Sequence, residues 1–128
     1  MKPITHEWVE KAEGDFHTAQ REFRARKYPN YDAACFHVQQ CIEKYLKARL
    51  VEAEIDFPKI HDLTQLLSLV EPVEPFWIAY QEELRTITDY AIEYRYPGIT
   101  ADKDTAQKAL KICKNIRIAI RQSLGLEP

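Results

Sequence analysis

The sequence predicts an all-α protein in which four long helices form an up-down bundle and one short helix is added to it. Three observations support this fold class. The 128 residues include only 3 glycines, which leaves little material for the tight turns between strands. Apolar residues recur at steps of three and four along most of the chain, the spacing of one helix face. No stretch shows the alternation typical of half-buried strands.

The first predicted helix has an apolar stripe of Ile4, Trp8, Ala12, Phe16, Ala19 and Phe23. It ends before Pro29, which disfavours helix at the preceding residue. Asn30 can cap a second helix from about Tyr31 to Glu52. The predicted buried face of this helix comprises Ala34, Val38, Cys41, Tyr45 and Ala48.

Three further helices are predicted in the second half of the chain. Asp62 and Gln65 have the spacing of a capping box, which predicts a short third helix. The fourth begins near Pro75, and Thr100 or Asp102 can cap the fifth. Their apolar faces are predicted to comprise Trp77, Tyr80, Leu84, Ile87 and Ala91 in the fourth helix and Ala106, Ala109, Leu110, Cys113, Ile116 and Ile120 in the fifth. Short connections favour consecutive helices that run antiparallel.

Length and composition indicate one ordinary globular domain spanning residues 1–128. The formal charge of −2 excludes a strongly basic domain, so any contact with RNA must be local. Cys35, Cys41 and Cys113 lie within helical patterns and are predicted to be reduced core residues. The N-terminus lacks the apolar segment of a signal peptide, and no segment is apolar enough to span a membrane. We therefore expect a cytoplasmic protein.

Common catalytic motifs are absent from the sequence. It contains no P-loop, G-x-S-x-G, H-E-x-x-H or G-x-G-x-x-G pattern. The 4 histidines are scattered, and no two have helical i,i+3 or i,i+4 spacing, which argues against a metal site. We expect neither a metal nor a cofactor.

A polar stripe on the second helix is the first candidate binding site. His37, Gln40, Lys44 and Lys47 fall at i, i+3, i+7 and i+10, which aligns them beside the apolar face. Two lysines and two hydrogen-bonding groups in such a strip can hold a phosphate. The alternative is a solvated helix face in which Glu43 and Lys47 form an ordinary i,i+4 pair.

Two shorter segments offer further candidates. His61 and Asp62 precede the third helix, where a titrating histidine would lie near N-terminal amides that can bind an anion; alternatively, Asp62 only caps and His61 only packs. Arg95 and Tyr96 end the fourth helix, where the arginine can bind a phosphate and the tyrosine can stack on a base. The alternative for Arg95 is a cation favoured by the helix dipole.

Asp15 lies at the edge of the apolar stripe of the first helix. It is predicted either to pair with Lys44 or Arg95 or to remain a surface acid.

The sequence resembles the HEPN family in three segments, which are YDAACFHVQQCIEKYLKARL, KIHDLTQLL and YRYPG. They occur in the family's order, and with Trp8 and Asp15 the resemblance covers nearly the whole chain. The combination of Q-x-x-E-K, H-D-L and R-Y-P is specific. By position, the residues that match the family's signature are Gln40, Glu43, Lys44, His61, Asp62 and Arg95.

The resemblance implies a bundle of four main helices with one short helix, frequently a homodimer, associated with nucleotide or RNA chemistry. Many prokaryotic members are encoded beside a minimal nucleotidyltransferase and act with it as a toxin–antitoxin pair. The set of ligand-binding residues predicted from the stripe, the two segments and the resemblance is His37, Gln40, Lys44, Lys47, His61, Asp62, Arg95 and Tyr96.

Ribonuclease members of the family carry an arginine followed after four to six residues by a histidine. No arginine of this chain has a histidine at that distance, so catalysis by this chain alone is disfavoured. Three hypotheses remain. The first is a module that binds a nucleotide or RNA phosphate, the second is a structural dimeric partner, and the third is a metal-independent ribonuclease with His61 as acid or base and Arg95 as charge stabiliser.

Overall fold

The computed structural model describes residues 1–128 and is all-helical. The helices are α1 Pro3–Arg24, α2 Tyr31–Glu52, α3 Leu63–Val70, a 3-10 helix Pro75–Tyr80, α4 Gln81–Glu93 and α5 Lys103–Ser123. The predicted fold class, with four long helices and one short helix, is confirmed. The predicted fourth helix differs in one respect, because its first turns have 3-10 geometry and only the segment from Gln81 is α-helical.

Side chains cap three of the helices at the predicted residues. The amide oxygen of Asn30 accepts a hydrogen bond from the backbone N–H of Ala33 at 2.9 Å. Asp62 caps α3 by accepting from the backbone N–H of Thr64, so the predicted capping box with Gln65 does not form, and Asp102 caps α5. Each oxygen satisfies a backbone donor that has no partner within the helix.

The long helices alternate in direction along the chain. α1 begins where α2 ends, since the Thr5 hydroxyl donates to Glu52 at 2.9 Å. α5 begins where α2 begins, since the N–H of Ala101 donates to Asp32 at 2.7 Å. α4 ends at that same end of the bundle. The helices α1, α2, α4 and α5 therefore run up, down, up and down, as predicted. Although α5 follows α4 in the chain, it packs on α2 and α1.

α2 occupies the centre of the bundle and packs against α1, α3, α4 and α5. All five positions of its predicted apolar face are buried, and so are the polar residues Gln39, Glu43 and Lys47. Lys47 is only 6% exposed. This side of α2 is therefore not a solvated helix face, although the i,i+4 pair of Glu43 and Lys47 that the same interpretation included does form, at 3.1 Å.

The buried face of α1 differs from the predicted stripe at its beginning. Ile4 is 47% exposed, whereas Thr5 and Val9 are buried. The hydrogen bond to Glu52 satisfies the Thr5 hydroxyl and permits its burial. Asp15 is also buried, so it is not a surface acid.

One hydrophobic core contains residues from every α-helix. The three cysteines are buried and free, as predicted. Burial, together with the nearby carboxylates of Asp32 and Asp102, raises the pKa of Cys35 to about 12, so this thiol stays protonated at neutral pH. No helix combines the length and the apolar composition that a membrane crossing requires.

Candidate functional site

A cleft of about 510 Å³ lies between α2, the start of α3 and the end of α4. Apolar, amide and ionisable side chains line it: Phe36, Gln39, Gln40, His61, Asp62, Thr88, Ala91, Ile92 and Arg95. The cleft therefore brings together Gln40, His61, Asp62 and Arg95 from the predicted set, although they come from three separate segments of the chain.

Two glutamines of α2 form one wall of the cleft. The buried Gln39 amide donates to Glu43 Oε1 at 3.1 Å and to the backbone oxygen of His61 at 2.9 Å. Its own oxygen accepts from Gln40 Nε2 at 2.7 Å. These bonds fix the amide groups and hold the segment before α3 against α2.

Glu43 lies beneath the cleft and contacts two cationic or ionisable groups. Its Oε2 accepts from Lys47 Nζ at 3.1 Å, and its Oε1 lies 3.1 Å from His61 Nδ1. The His61 side chain is 79% exposed. With Nδ1 directed to the carboxylate, Nε2 faces the solvent side, where it can donate to or accept from a ligand.

Asp62 and Thr88 hold the turn that carries His61. Asp62 Oδ1 accepts from the backbone N–H and the hydroxyl of Thr64, at 2.9 and 2.7 Å. The Thr88 hydroxyl of α4 accepts from the N–H of Leu63 at 3.1 Å. The N-terminal end of α3 is therefore bonded to α4, and the capping role of Asp62 is confirmed.

Arg95 lies at the mouth of the cleft, just after α4. Its guanidinium carbon is 5.5 Å from the centroid of the Phe36 ring, within the range of a cation–π contact. Arg95 is exposed and belongs to no ion pair of the chain. All its N–H donors are therefore free of carboxylate partners and available to an anionic ligand.

A second cleft of about 340 Å³ adjoins the first, and Arg95 lines both. Asp32, His37 and Tyr94 contribute to the second cleft. Phe36 also lines both clefts. The guanidinium therefore lies on the ridge between two open depressions.

A sequence model described as the HEPN domain matches residues 5–122. The chain belongs to the HEPN domain family. The match extends from the first turn of α1 to the last turn of α5, so it confirms the resemblance over nearly the whole chain and supports a general association with nucleotide or RNA chemistry. Comparisons with curated proteins and with solved structures produced no match.

The predicted stripe of the HEPN domain divides between different environments. His37 Nδ1 and Lys44 Nζ both bind Asp15 of α1, at 2.8 and 2.5 Å. Lys47 lies 5.7 Å from the ring centroids of Trp8 and Phe57 as well as beside Glu43. Neither lysine lines the cleft that contains Arg95. Lys44 is bound to the carboxylate of Asp15 in α1, and Lys47 is enclosed in the core.

Tyr96 is exposed and lines neither cleft of the HEPN domain. Five cleft residues were not predicted as site residues from the sequence: Phe36, Gln39, Thr88, Ala91 and Ile92. Gln39 stands four residues before Glu43, a spacing at which side chains contact each other on a helix. No signal in the sequence separates Thr88 from the other threonines.

A second charged cluster joins α1 to α5 and α2. Arg117 donates two bonds to Glu13, at 2.6 and 2.7 Å, and the Tyr45 hydroxyl donates a third at 2.6 Å. Burial alone would raise the pKa of Glu13, but the bonds from Arg117 and Tyr45 and the charge of Arg121 outweigh it and lower that pKa. Burial and the contact with Glu13 raise the pKa of Tyr45. The cluster is internally paired and lies away from the cleft residues.

Proposed function

We propose that this HEPN domain binds a nucleotide or an RNA phosphate in the cleft between α2, α3 and α4, with Arg95 as the main phosphate contact. The observation that carries the proposal is the exposed guanidinium at the mouth of the cleft, which has an aromatic partner and no carboxylate partner. A planar guanidinium of this kind binds phosphate through two parallel hydrogen bonds.

His61, which lines the same cleft, supports the same proposal. Glu43 fixes the orientation of the ring through Nδ1, and Nε2 remains exposed as a second polar contact for the ligand. The amide of Gln40, held by Gln39, adds a neutral donor to the cleft. Phe36 and Ile92 supply apolar surface on which a base can pack.

The deciding experiment is calorimetric titration with AMP, ATP and a short RNA at two salt concentrations. The proposal is supported if the native protein binds one of these ligands and the Arg95→Ala variant binds it at least tenfold more weakly. Arg85→Ala is the matched control, because Arg85 is an exposed arginine of α4 that pairs with Glu82 at 2.7 Å. Loss of affinity in both variants would contradict a specific role for Arg95.

We further propose that the protein is a cytoplasmic homodimer and the partner of a minimal nucleotidyltransferase in a toxin–antitoxin-like module. This proposal is supported by the family membership, and the three buried free thiols suit a reducing compartment. Co-expression with a nucleotidyltransferase encoded beside the gene, followed by co-purification, tests the pairing. Light scattering of the isolated protein tests the dimer, and a monomeric mass would contradict it.

The contact between Glu43 and His61 favours a second candidate function, a metal-independent ribonuclease. A carboxylate that orients an imidazole leaves the other ring nitrogen able to transfer a proton, and Arg95 on the same cleft could stabilise the charge of the phosphorane. Cleavage of a labelled RNA that requires both His61 and Arg95 would support this function. RNA that remains intact, together with nucleotide binding, supports the binding module alone.

The structural dimeric partner, the second hypothesis from the sequence, is the other alternative. If native protein binds neither nucleotide nor RNA, yet forms a stable complex with its partner, the cleft serves only in assembly.

A further inference from the structure

Two adjoining depressions lie between the C-terminal half of α1 and the first half of α5, away from the Arg95 cleft. The first has a volume of about 270 Å³, and Arg24, Lys111 and Lys114 contribute to its lining. The second has a volume of about 480 Å³ and is lined by Arg21 and Arg24 among others. Arg24 lines both, so they form one continuous surface, here called the α1–α5 groove.

The four cations of the α1–α5 groove are exposed, and none of them has a carboxylate within 4.0 Å. The other basic residues of α5 after its first turn are paired with acids: Lys108, Arg117 and Arg121. Unpaired cations that face one another across a groove repel each other, and an anion in the groove would relieve that repulsion.

The helix dipole accounts for the positions of two of the four groove cations but not of the other two. Arg21 and Arg24 lie in the last turn of α1, where the dipole favours cations. Lys111 and Lys114 lie in the middle of α5, where the dipole contributes nothing. From residue 105 to residue 123, α5 contains no Asp or Glu, although the whole chain has a formal charge of −2. The ionisable side chains that α5 contributes to the groove are therefore all basic.

The segment that directly follows α1 in the chain is also basic and exposed. Arg26 and Lys27 are exposed, and Tyr28 after them is 94% exposed. The φ angle of Tyr28 is +53°, a left-handed conformation that costs a tyrosine free energy. An aromatic ring in solvent next to a row of cations is the combination that single-stranded nucleic acids bind, through stacking and phosphate contacts.

We propose that the α1–α5 groove binds the phosphate backbone of a single-stranded nucleic acid. Arg21, Arg24, Lys111 and Lys114 would contact phosphates, and Tyr28 would stack on a base at the end of the groove. This site does not depend on a ligand in the Arg95 cleft. Both open at the same end of the bundle, because α1 and α4 end where α2 and α5 begin, so one strand can follow the groove while a mononucleotide occupies the cleft.

The test is the fluorescence anisotropy of labelled oligouridine titrated with full-length protein between 50 and 200 mM salt. Each lost phosphate contact lowers the slope of log affinity against log salt by about 0.7 for a single strand. The Lys111→Gln and Lys114→Gln double variant is therefore expected to reduce the slope by about 1.4. The Lys103→Gln and Lys108→Gln double variant is the matched control, with the same charge change on exposed positions of the same helix.

Three results would overturn the proposal. They are no binding of oligouridine by native protein at 50 mM salt, equal losses in the two double variants, and displacement of oligouridine by polyglutamate at equal charge concentration, which would indicate an acidic protein as ligand. The groove variant separates the two sites. Lys111→Gln with Lys114→Gln is expected to lower the oligouridine slope and leave AMP binding unchanged, since neither lysine lines the Arg95 cleft, so failure of the cleft proposal leaves the groove proposal standing.

Discussion

Oε1 of Glu43 lies 3.1 Å from Nδ1 of His61, so a buried carboxylate of α2 orients an exposed ring that precedes α3. The same carboxylate accepts hydrogen bonds from Gln39 and Lys47. The carboxylate therefore neutralises a buried cation and also orients a residue of the cleft. Changes at Glu43 will alter stability and ligand binding together.

Glu43→Gln is expected to lower the free energy of unfolding by about 3 kcal/mol, because it leaves the buried Lys47 ammonium without a counter-charge. Lys47→Met is expected to destabilise as well. The variant with both substitutions will lose less than the two single losses added together, since it removes both charges. Urea unfolding of all four forms measures this coupling.

The control for this double-mutant cycle is the exposed ion pair of Arg85 and Glu82. Its removal is expected to change stability by no more than about 0.5 kcal/mol. Strict additivity at Glu43 and Lys47 would show that the two charges do not interact.

Thr88→Val is expected to loosen the segment before α3. Valine has the shape of threonine but leaves the N–H of Leu63 without its acceptor, which costs about 1–3 kcal/mol when the donor is buried. Faster hydrogen exchange at Leu63 would report the loss, and weaker nucleotide binding would follow because His61 is two residues away. Thr88→Ser retains the hydroxyl and serves as the control; equal exchange rates in both variants would argue against this hydrogen bond.

The Lys44→Met variant tests whether the predicted polar stripe or the observed cleft is the phosphate-binding site. Lys44 binds the buried Asp15, so its removal is expected to destabilise the protein by about 2 kcal/mol. Nucleotide affinity is expected to remain within twofold of the native value, since Lys44 does not line the cleft. An affinity loss equal to that of Arg95→Ala would instead support the stripe as the phosphate site.

Glu13→Gln is expected to show a pH-dependent loss of stability. The lowered pKa of Glu13 means that its ionised form stabilises the folded state above the unfolded pKa of about 4.5. The loss will be about 1 kcal/mol at neutral pH, because solvent reaches part of the cluster. The difference between native and variant proteins will shrink as the pH falls through the folded pKa, and urea unfolding at pH 7, 5 and 3 measures it. A difference that is constant with pH would contradict the role of the ionised carboxylate.

The helices and their caps were predictable because their signals are local. Asn30, Asp62 and Asp102 act as caps whatever the rest of the chain does, and apolar spacing identifies each helix without knowledge of its neighbours. The prediction that Ile4 belongs to the buried face was wrong, because burial at the end of an apolar stripe depends on where the adjacent helix stops.

The candidate site was predictable only in part, since side chains from distant segments form it. Their positions at helix ends made His61 and Arg95 candidates, the resemblance to HEPN sequences supported both, and both line one cleft. Periodicity aligned Lys44 and Lys47 on α2, but it contains no information about Asp15 or the rings of Trp8 and Phe57, which determine where those lysines point. The cleft wall formed by Thr88 follows from the packing of α4 on α3, which no local pattern encodes.

The central position of α2 determines how the protein unfolds. α1, α3, α4 and α5 all rest on this helix, so none of them retains its principal neighbour once α2 melts. We therefore expect a single cooperative transition, in which the amide hydrogens of α2 exchange only through complete unfolding. The end of α4, which carries Arg95 and has few buried residues around it, will exchange through small local openings. The ligand-facing residue thus belongs to the part of the chain that can adjust without disturbing the rest.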